Sequence, residues 1–119
     1  MTRFAAVGLA LTFLLGTAMV ATAGEKDVSI TGEVIDTFCY SAMGAKGEGH
    51  KQCGIDCAKK GIPVGLLENG SEKIHILLPT KDKTALPDEV ISKMGETVTV
   101  TGQQHAKGGV QFLTVESVK

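Results

Sequence analysis

Asn69-Gly70 stands between two short apolar runs, Ile62 to Glu68 and Glu72 to Leu78, and this arrangement narrows the possible folds more than any other stretch of the chain. The dipeptide tolerates the positive φ angles of a two-residue turn, so the spacing predicts a β-hairpin. An isolated hairpin is marginal in water and needs further strands or a helix to bury its apolar face. The rest of the chain must supply them.

Upstream, Val28, Ile30, Val34 and Phe38 recur at even spacing among Ser29, Thr31, Glu33 and Thr37. That period predicts a half-buried first strand with a bend at Gly32 and with Cys39 at its end. Ser41 to Gly49 holds three glycines and no apolar rhythm, which predicts a mobile loop. His50 to Lys60 reads as a short helix, with Gly61 as its left-handed stop and Pro63 preventing continuation. Downstream, Pro87-Asp88-Glu89 opens a second short helix that buries Val90, Ile91 and Met94 and ends at Gly95. Thr97 to Gly102 and Val110 to Val118 complete the strands, and the apolar set of the last changes phase between Phe112 and Leu113, as at a bulge or barrel corner. Strand, hairpin, helix and two strands is the element order of a mainly β, five-stranded OB-like barrel. The helix falls between strands three and four, and the short Cys/His helix is an insertion after strand one. A small open sandwich or roll is the alternative.

The first residues read differently. Met1-Thr2-Arg3 is basic, Phe4 to Val20 is apolar and uncharged, and Ala21-Thr22-Ala23 has small residues at cleavage spacing. These features predict a secretory signal peptide over residues 1–23, cut after Ala23. The apolar run is broken by Gly8 and Gly16 and falls short of the roughly 20 residues that span a bilayer, so no stable membrane anchor is expected after cleavage. No cysteine stands at the cut. The expectation is a periplasmic or secreted protein with a single OB-like domain over residues 24–119. A domain of that size buries only about two thirds of its unfolded surface, so a covalent or metal staple would help it. Net charge is -1 and tryptophan is absent, leaving neither a basic stripe nor a stacking platform for nucleic acid.

The element order resembles small exported bacterial OB-fold proteins, a group that includes stress-associated domains and periplasmic copper-binding chaperones. Two stretches are also similar to uncharacterised exported proteins with the same cysteine and histidine arrangement. They are Gly32-Glu33-Val34-Ile35-Asp36-Thr37-Phe38-Cys39 and His50-Lys51-Gln52-Cys53-Gly54-Ile55-Asp56-Cys57-Ala58-Lys59-Lys60-Gly61-Ile62-Pro63-Val64. The resemblance implies a fold and transfers no activity, so function rests on the site.

All three cysteines, Cys39, Cys53 and Cys57, lie close in sequence to His50. On a helix of about 100° per residue, His50, Cys53 and Cys57 fall within an arc of roughly 60°. Cys39 would add a fourth donor from the strand end. Three thiolates and an imidazole suit zinc, and equally the softer copper(I), in a structural, sequestering or chaperone role. Two other readings remain open. Cys39 could bridge to Cys53 or Cys57 as a disulfide worth about 3 kcal/mol, stapling a periplasmic interaction or stress module that binds a protein partner. The thiols could instead form a redox system.

Thioredoxin-like chemistry lacks its Cys-x-x-Cys at a helix start, and covalent haem lacks Cys-x-x-Cys-His. A cysteine hydrolase needs a base and an orienting residue around a defined nucleophile; His50 is one turn from Cys53 and could act as its base, but nothing in the sequence singles out a nucleophile. His75 alternates with Ile74 and Ile76 and is expected on the solvent side of its strand; His105, before Gly108-Gly109, is expected in a hairpin loop. Met43 lies in the loop between Cys39 and His50 as a candidate soft donor, although a methionine so placed more often packs locally. Asp36 and Asp56 flank the cluster as acceptors for His50, and Lys59 and Lys60 suit the end of the helix dipole.

Overall fold

Alternating apolar residues and one well-placed glycine explain how β1, Lys26–Asp36, serves two neighbours. In this computed structural model, which describes residues 26–119, its first part pairs antiparallel with β4, Thr97–Lys107, and its last part with β2, Val64–Glu68. The strand turns the corner at Gly32, which pairs with both Glu68 and Val98. A Cβ there would overlap the Leu67 carbonyl oxygen, so only glycine admits this approach. The predicted signal peptide lies outside the described residues. Among the described residues, no helix is long and apolar enough to cross a membrane.

The remaining strands are β2 (Val64–Glu68), β3 (Ile74–Leu78), β4 (Thr97–Lys107) and β5 (Val110–Val118). They close in the order β1-β2-β3-β5-β4, with β3 and β5 parallel and every other pair antiparallel. The protein is thus the expected mainly β, five-stranded, closed OB-like barrel. Val34, Leu66, Leu77, Val100 and Leu113 fill its interior. One face of α3, Asp88–Ile91, adds Val90, and Met94 follows it into the core before Gly95 turns with a φ of 78°. The Gly95 N–H then donates to the Val34 carbonyl at 2.7 Å.

Several local expectations are corrected. The β2–β3 turn has four residues rather than two: Glu68 N–H donates to the Lys73 carbonyl at 2.9 Å, and positive φ falls on Gly70 and Glu72. The apolar set of β5 changes faces between Phe112 and Leu113 as expected, but the bulge itself comes later. Leu113 and Val115 face inward, and the register shift between Thr101 and Gly102 of β4 skips Glu116. β4 runs on to Lys107, so His105 is a strand residue rather than a loop residue, and its Nε2 lies 3.0 Å from Thr114 Oγ1. The hairpin tip is only Gly108-Gly109, both with positive φ.

His75 is the largest surprise: it is 1 % exposed and points into the barrel, while Ile74 and Ile76 face outward. The outer face of β2 and β3 is not open water. Thr37 and Ile74 side chains lie over Gly65, and Ile74 and Ile76 line a cavity of about 480 Å³ with Thr37, Ser41 and Val110. With apolar cover on both faces, strict alternation no longer tells which side is wet.

Glu68 makes the buried histidine tolerable by placing Oε2 at 3.1 Å from His75 Nε2. The Ser71 hydroxyl, foremost, and the His75 ring hold the Glu68 carboxyl below its ordinary value of 4.5, against the raising effect of burial. A depressed folded pKa contributes stability that is complete above the unfolded value and is lost as pH falls through the folded one. Urea midpoints at pH 6 and pH 3 are therefore expected to differ more for the native chain than for Glu68→Gln. Equal acid losses in the two would contradict this.

Candidate metal centre

The centre begins where β1 stops. Asp36 is fully buried, and its Oδ1 accepts the backbone N–H of Cys39 at 2.8 Å, which makes it the N-cap of α1, Thr37–Met43. The cap converts the expected strand end into a helix. Cys39 accordingly sits in the first turn of α1 and not on a strand, and it is the one buried residue of that helix. Phe38, read as an inward strand residue, is rotated outward and is 59 % exposed. Met43 is 67 % exposed. α1 ends at Gly44, whose φ of 67° lets its N–H return to the Cys39 and Tyr40 carbonyls.

The segment predicted as a mobile loop is pinned at several points. Ala45 N–H donates to the Cys39 carbonyl at 3.2 Å, and Gly47 N–H donates to the Glu33 carboxylate. A 3-10 turn, Glu48–His50, then leads into α2, Lys51–Lys59. This agrees with the helix expected from His50 to Lys60, and Gly61 follows it with a φ of 97°. Gly54 lets α2 lie flat on the barrel end. A Cβ there would stand 2.5 Å from Met94 Cγ, 2.8 Å from its Sδ and 3.5 Å from Asp36 Oδ2. Ile55 and Ala58 pack on the same core.

Two helices thus bring the donors together around Cys39. The donor atoms of Cys39, His50 and Cys53 all lie within 4.8 Å of one another. A second set, Asp36, Cys39 and Cys57, meets the same limit and shares Cys39 with the first. Every residue expected in the cluster is therefore present, divided between two overlapping sets. All three cysteines are free thiols, with Cys39 buried, Cys57 half-buried and Cys53 exposed, and the disulfide considered from the sequence is not formed.

Asp36 does more than cap. Its Oδ2 lies 2.6 Å from His50 Nε2. Burial alone would raise its pKa, but the Cys39 backbone N–H, the His50 ring and the Cys39 thiol together bring it below the usual carboxylate value. An ionised carboxylate can only accept, so Nε2 is the nitrogen that donates to Asp36, and in the neutral ring this makes Nδ1 the lone-pair nitrogen. A carboxylate that fixes a histidine tautomer in this way is the usual support of a metal-ligating imidazole. Asp56 does not share the role; it accepts from Gln52 Nε2 at 2.9 Å on the surface of α2.

The thiols respond to the same environment. Burial, then the Asp36 carboxylate, push the Cys39 thiol up to about 12. Burial and the Asp36 charge raise Cys57 as well, with the Cys39 contact opposing them. Without a cation these sulfurs keep their protons, and a bound cation would have to displace them.

Sequence reasoning treated Asp36 as a flanking acceptor and did not find its cap. The signal was present: an aspartate three residues before Cys39, at the end of an alternating run, is a helix N-cap pattern as much as a strand end. His75 and His105 stand apart, in the barrel wall with their own partners. No family model, curated protein or solved structure matches the chain, so the chemistry of these side chains alone carries the functional reading.

Proposed function

We propose that the protein is an exported, non-enzymatic, soft-metal-binding domain. It holds one zinc or copper(I) ion through deprotonated Cys39 and Cys53 and neutral His50, with Cys57 as the fourth donor. The observation that carries this reading is the meeting of the Cys39, His50 and Cys53 donor atoms within 4.8 Å, beside a buried carboxylate that fixes the histidine. Two or three thiolates with an imidazole favour zinc and copper(I) over hard cations such as magnesium or calcium. A partly exposed edge at Cys53 suits storage or hand-off of the ion better than a purely structural role. Export follows from the leader pattern of residues 1–23, and a periplasmic protein partner would receive or deliver the ion.

Ion counting tests the reading. Purified under argon and loaded with zinc or copper(I), the chain is expected to retain one ion, and the variant with all three cysteines changed to serine none. Because binding expels thiol protons, the retained fraction is expected to fall as pH is lowered. A reduced chain that retains no ion from either metal would sink the proposal.

A further inference from the structure

Asn69 is the only asparagine of the chain, and a glycine follows it. Both residues are exposed at the tip of the β2–β3 turn. An asparagine placed before glycine carries its own nucleophile, because the next backbone nitrogen can close a five-membered ring on the side-chain carbonyl carbon. Two features usually prevent this: a Cβ on the following residue, which crowds the approach, and a hydrogen bond, which holds the proton on the attacking nitrogen. Gly70 has neither. Nothing lies within 4 Å of its Cβ position. Among the described residues, neither its N–H nor the Asn69 side-chain amide has a hydrogen-bond partner.

The turn is held around this pair and not through it. Asn69 N–H donates to the Thr31 carbonyl at 3.0 Å, Glu68 N–H to the Lys73 carbonyl at 2.9 Å and Glu72 N–H to the Glu68 carbonyl at 3.1 Å. The Asn69–Gly70 peptide bond lies between those contacts, with Gly70 at a φ of 86°. The surroundings are acidic. Asn69 and Gly70 line a cavity of about 150 Å³ with Glu33, Glu68, Glu72 and Lys46, three carboxylates against one ammonium. Two of those carboxylates hold the fold: Glu68 meets the buried His75, and Glu33 accepts the Gly47 N–H.

We infer that Asn69 is a site of spontaneous deamidation, which turns it into aspartate and isoaspartate and loosens the β2–β3 turn. In the first step hydroxide removes the Gly70 amide proton and the nitrogen attacks Asn69 Cγ. A new C–N bond forms, the bond from Cγ to the side-chain nitrogen breaks, and ammonia leaves after taking a proton from water. The product is a succinimide. In the second step water opens that ring at one of its two carbonyls. Opening at Cγ restores the ordinary backbone and gives aspartate, and opening at the backbone carbonyl gives isoaspartate, whose chain runs through Cβ and is one atom longer. One water is consumed, one ammonia is released, and nothing is oxidised or reduced. Either product adds a negative charge beside Glu33, Glu68 and Glu72, where like charges repel. Isoaspartate also shifts Gly70 relative to the hydrogen bonds that frame the turn.

The test incubates the chain at 37 °C, at pH 6 and pH 8, folded and in guanidinium chloride. Peptide mass spectrometry maps amide-to-acid exchange, and an isoaspartyl methyltransferase assay detects isoaspartate. Exchange is expected at Asn69 and not at Gln52, Gln103, Gln104 or Gln111, where a larger ring would have to close. It is expected to run faster at pH 8, since the nucleophile is the deprotonated nitrogen. The folded rate should stay within about tenfold of the unfolded one, as for a segment that the fold does not protect. Aged chain, separated from fresh by anion exchange, is expected to melt at a lower temperature. Asn69→Asp, which carries the charge without the extra backbone atom, is expected to melt between them. A folded chain that keeps its asparagine while the unfolded chain loses it would show that the turn protects this residue, and overturns the proposal. Exchange confined to a glutamine overturns it as well, and equal melting of aged and fresh chain overturns the loosening of the turn.

Discussion

Changing Cys39 to serine is expected to weaken metal retention about a hundredfold while leaving the fold in place. Structural zinc sites bind with roughly 10–16 kcal/mol spread over four ligands, or about 3 kcal/mol each, and 1.4 kcal/mol is a factor of ten. Cys39 is the donor common to both sets, so no rearrangement within the cluster replaces it. Cys57 belongs only to the set with Asp36, whose two oxygens already serve the Cys39 N–H and the His50 ring. Cys57→Ser is therefore expected to cost less than Cys39→Ser. The serine hydroxyl has nearly the shape of the thiol and can still donate to Asp36, so the cap and the buried carboxylate keep their partners. Competition with a chromogenic chelator measures the loss, and circular dichroism checks the fold. Equal affinities in the native chain and Cys39→Ser would remove Cys39 from the centre.

Gly102→Ala is expected to destabilise the domain by at least about 3 kcal/mol, a large part of the roughly 5–15 kcal/mol available to a small domain. Gly102 lies where the β4–β5 register shifts. A Cβ there would overlap the Thr114 carbonyl oxygen and stand 2.8 Å from its carbon. Both are backbone atoms of the paired strand and cannot swing aside as a side-chain end would. Relief requires β4 and β5 to separate at the bulge, which breaks ladder hydrogen bonds on both sides of it. For a domain of this size the cost corresponds to a fall in Tm of roughly 12–24 °C. Gly49→Ala is the control. Nothing lies within 4 Å of its Cβ position and its φ is not left-handed, so alanine there only restricts the unfolded chain and is expected to be neutral or slightly stabilising. Similar melting temperatures for the two variants would show that the close approach at Gly102 is not what holds the bulge.

The two variants probe different kinds of information in the chain. Gly102 could be recognised from sequence only as a glycine within an alternating strand, a hint of a bulge or close approach without a partner. Thr114, the atom donor that makes alanine intolerable, is brought there by pairing between distant strands. Likewise the 3.6-residue spacing of His50, Cys53 and Cys57 and the stop at Gly61-Ile62-Pro63 were enough to expect a helix with donors on one side. Asp36, three residues before Cys39, fits a helix N-cap and a strand end equally well, so the local pattern left open whether Cys39 would approach that helix from a second helix or from a strand. That depended on Asp36 accepting the Cys39 N–H and the His50 ring at once, and on Gly54 letting α2 settle against Met94.

His75 shows the same limit from the other side. Ile-His-Ile alternation located a strand correctly and misplaced its faces, because Thr37 of α1 and the rim of the β4–β5 hairpin flank the outer side and leave Ile74 and Ile76 only half-exposed there. Period and turn chemistry are short-range properties, written within a few neighbouring residues, and by themselves they determined the order of the strands and of α2 and α3 but not α1, the barrel class and the identity of the candidate donors. Which donors share Cys39, which carboxylate orients the histidine and which face of β3 is buried were decided only by the tertiary structure. Each depends on contacts between segments that the barrel's closure, and not their sequence spacing, brings within reach.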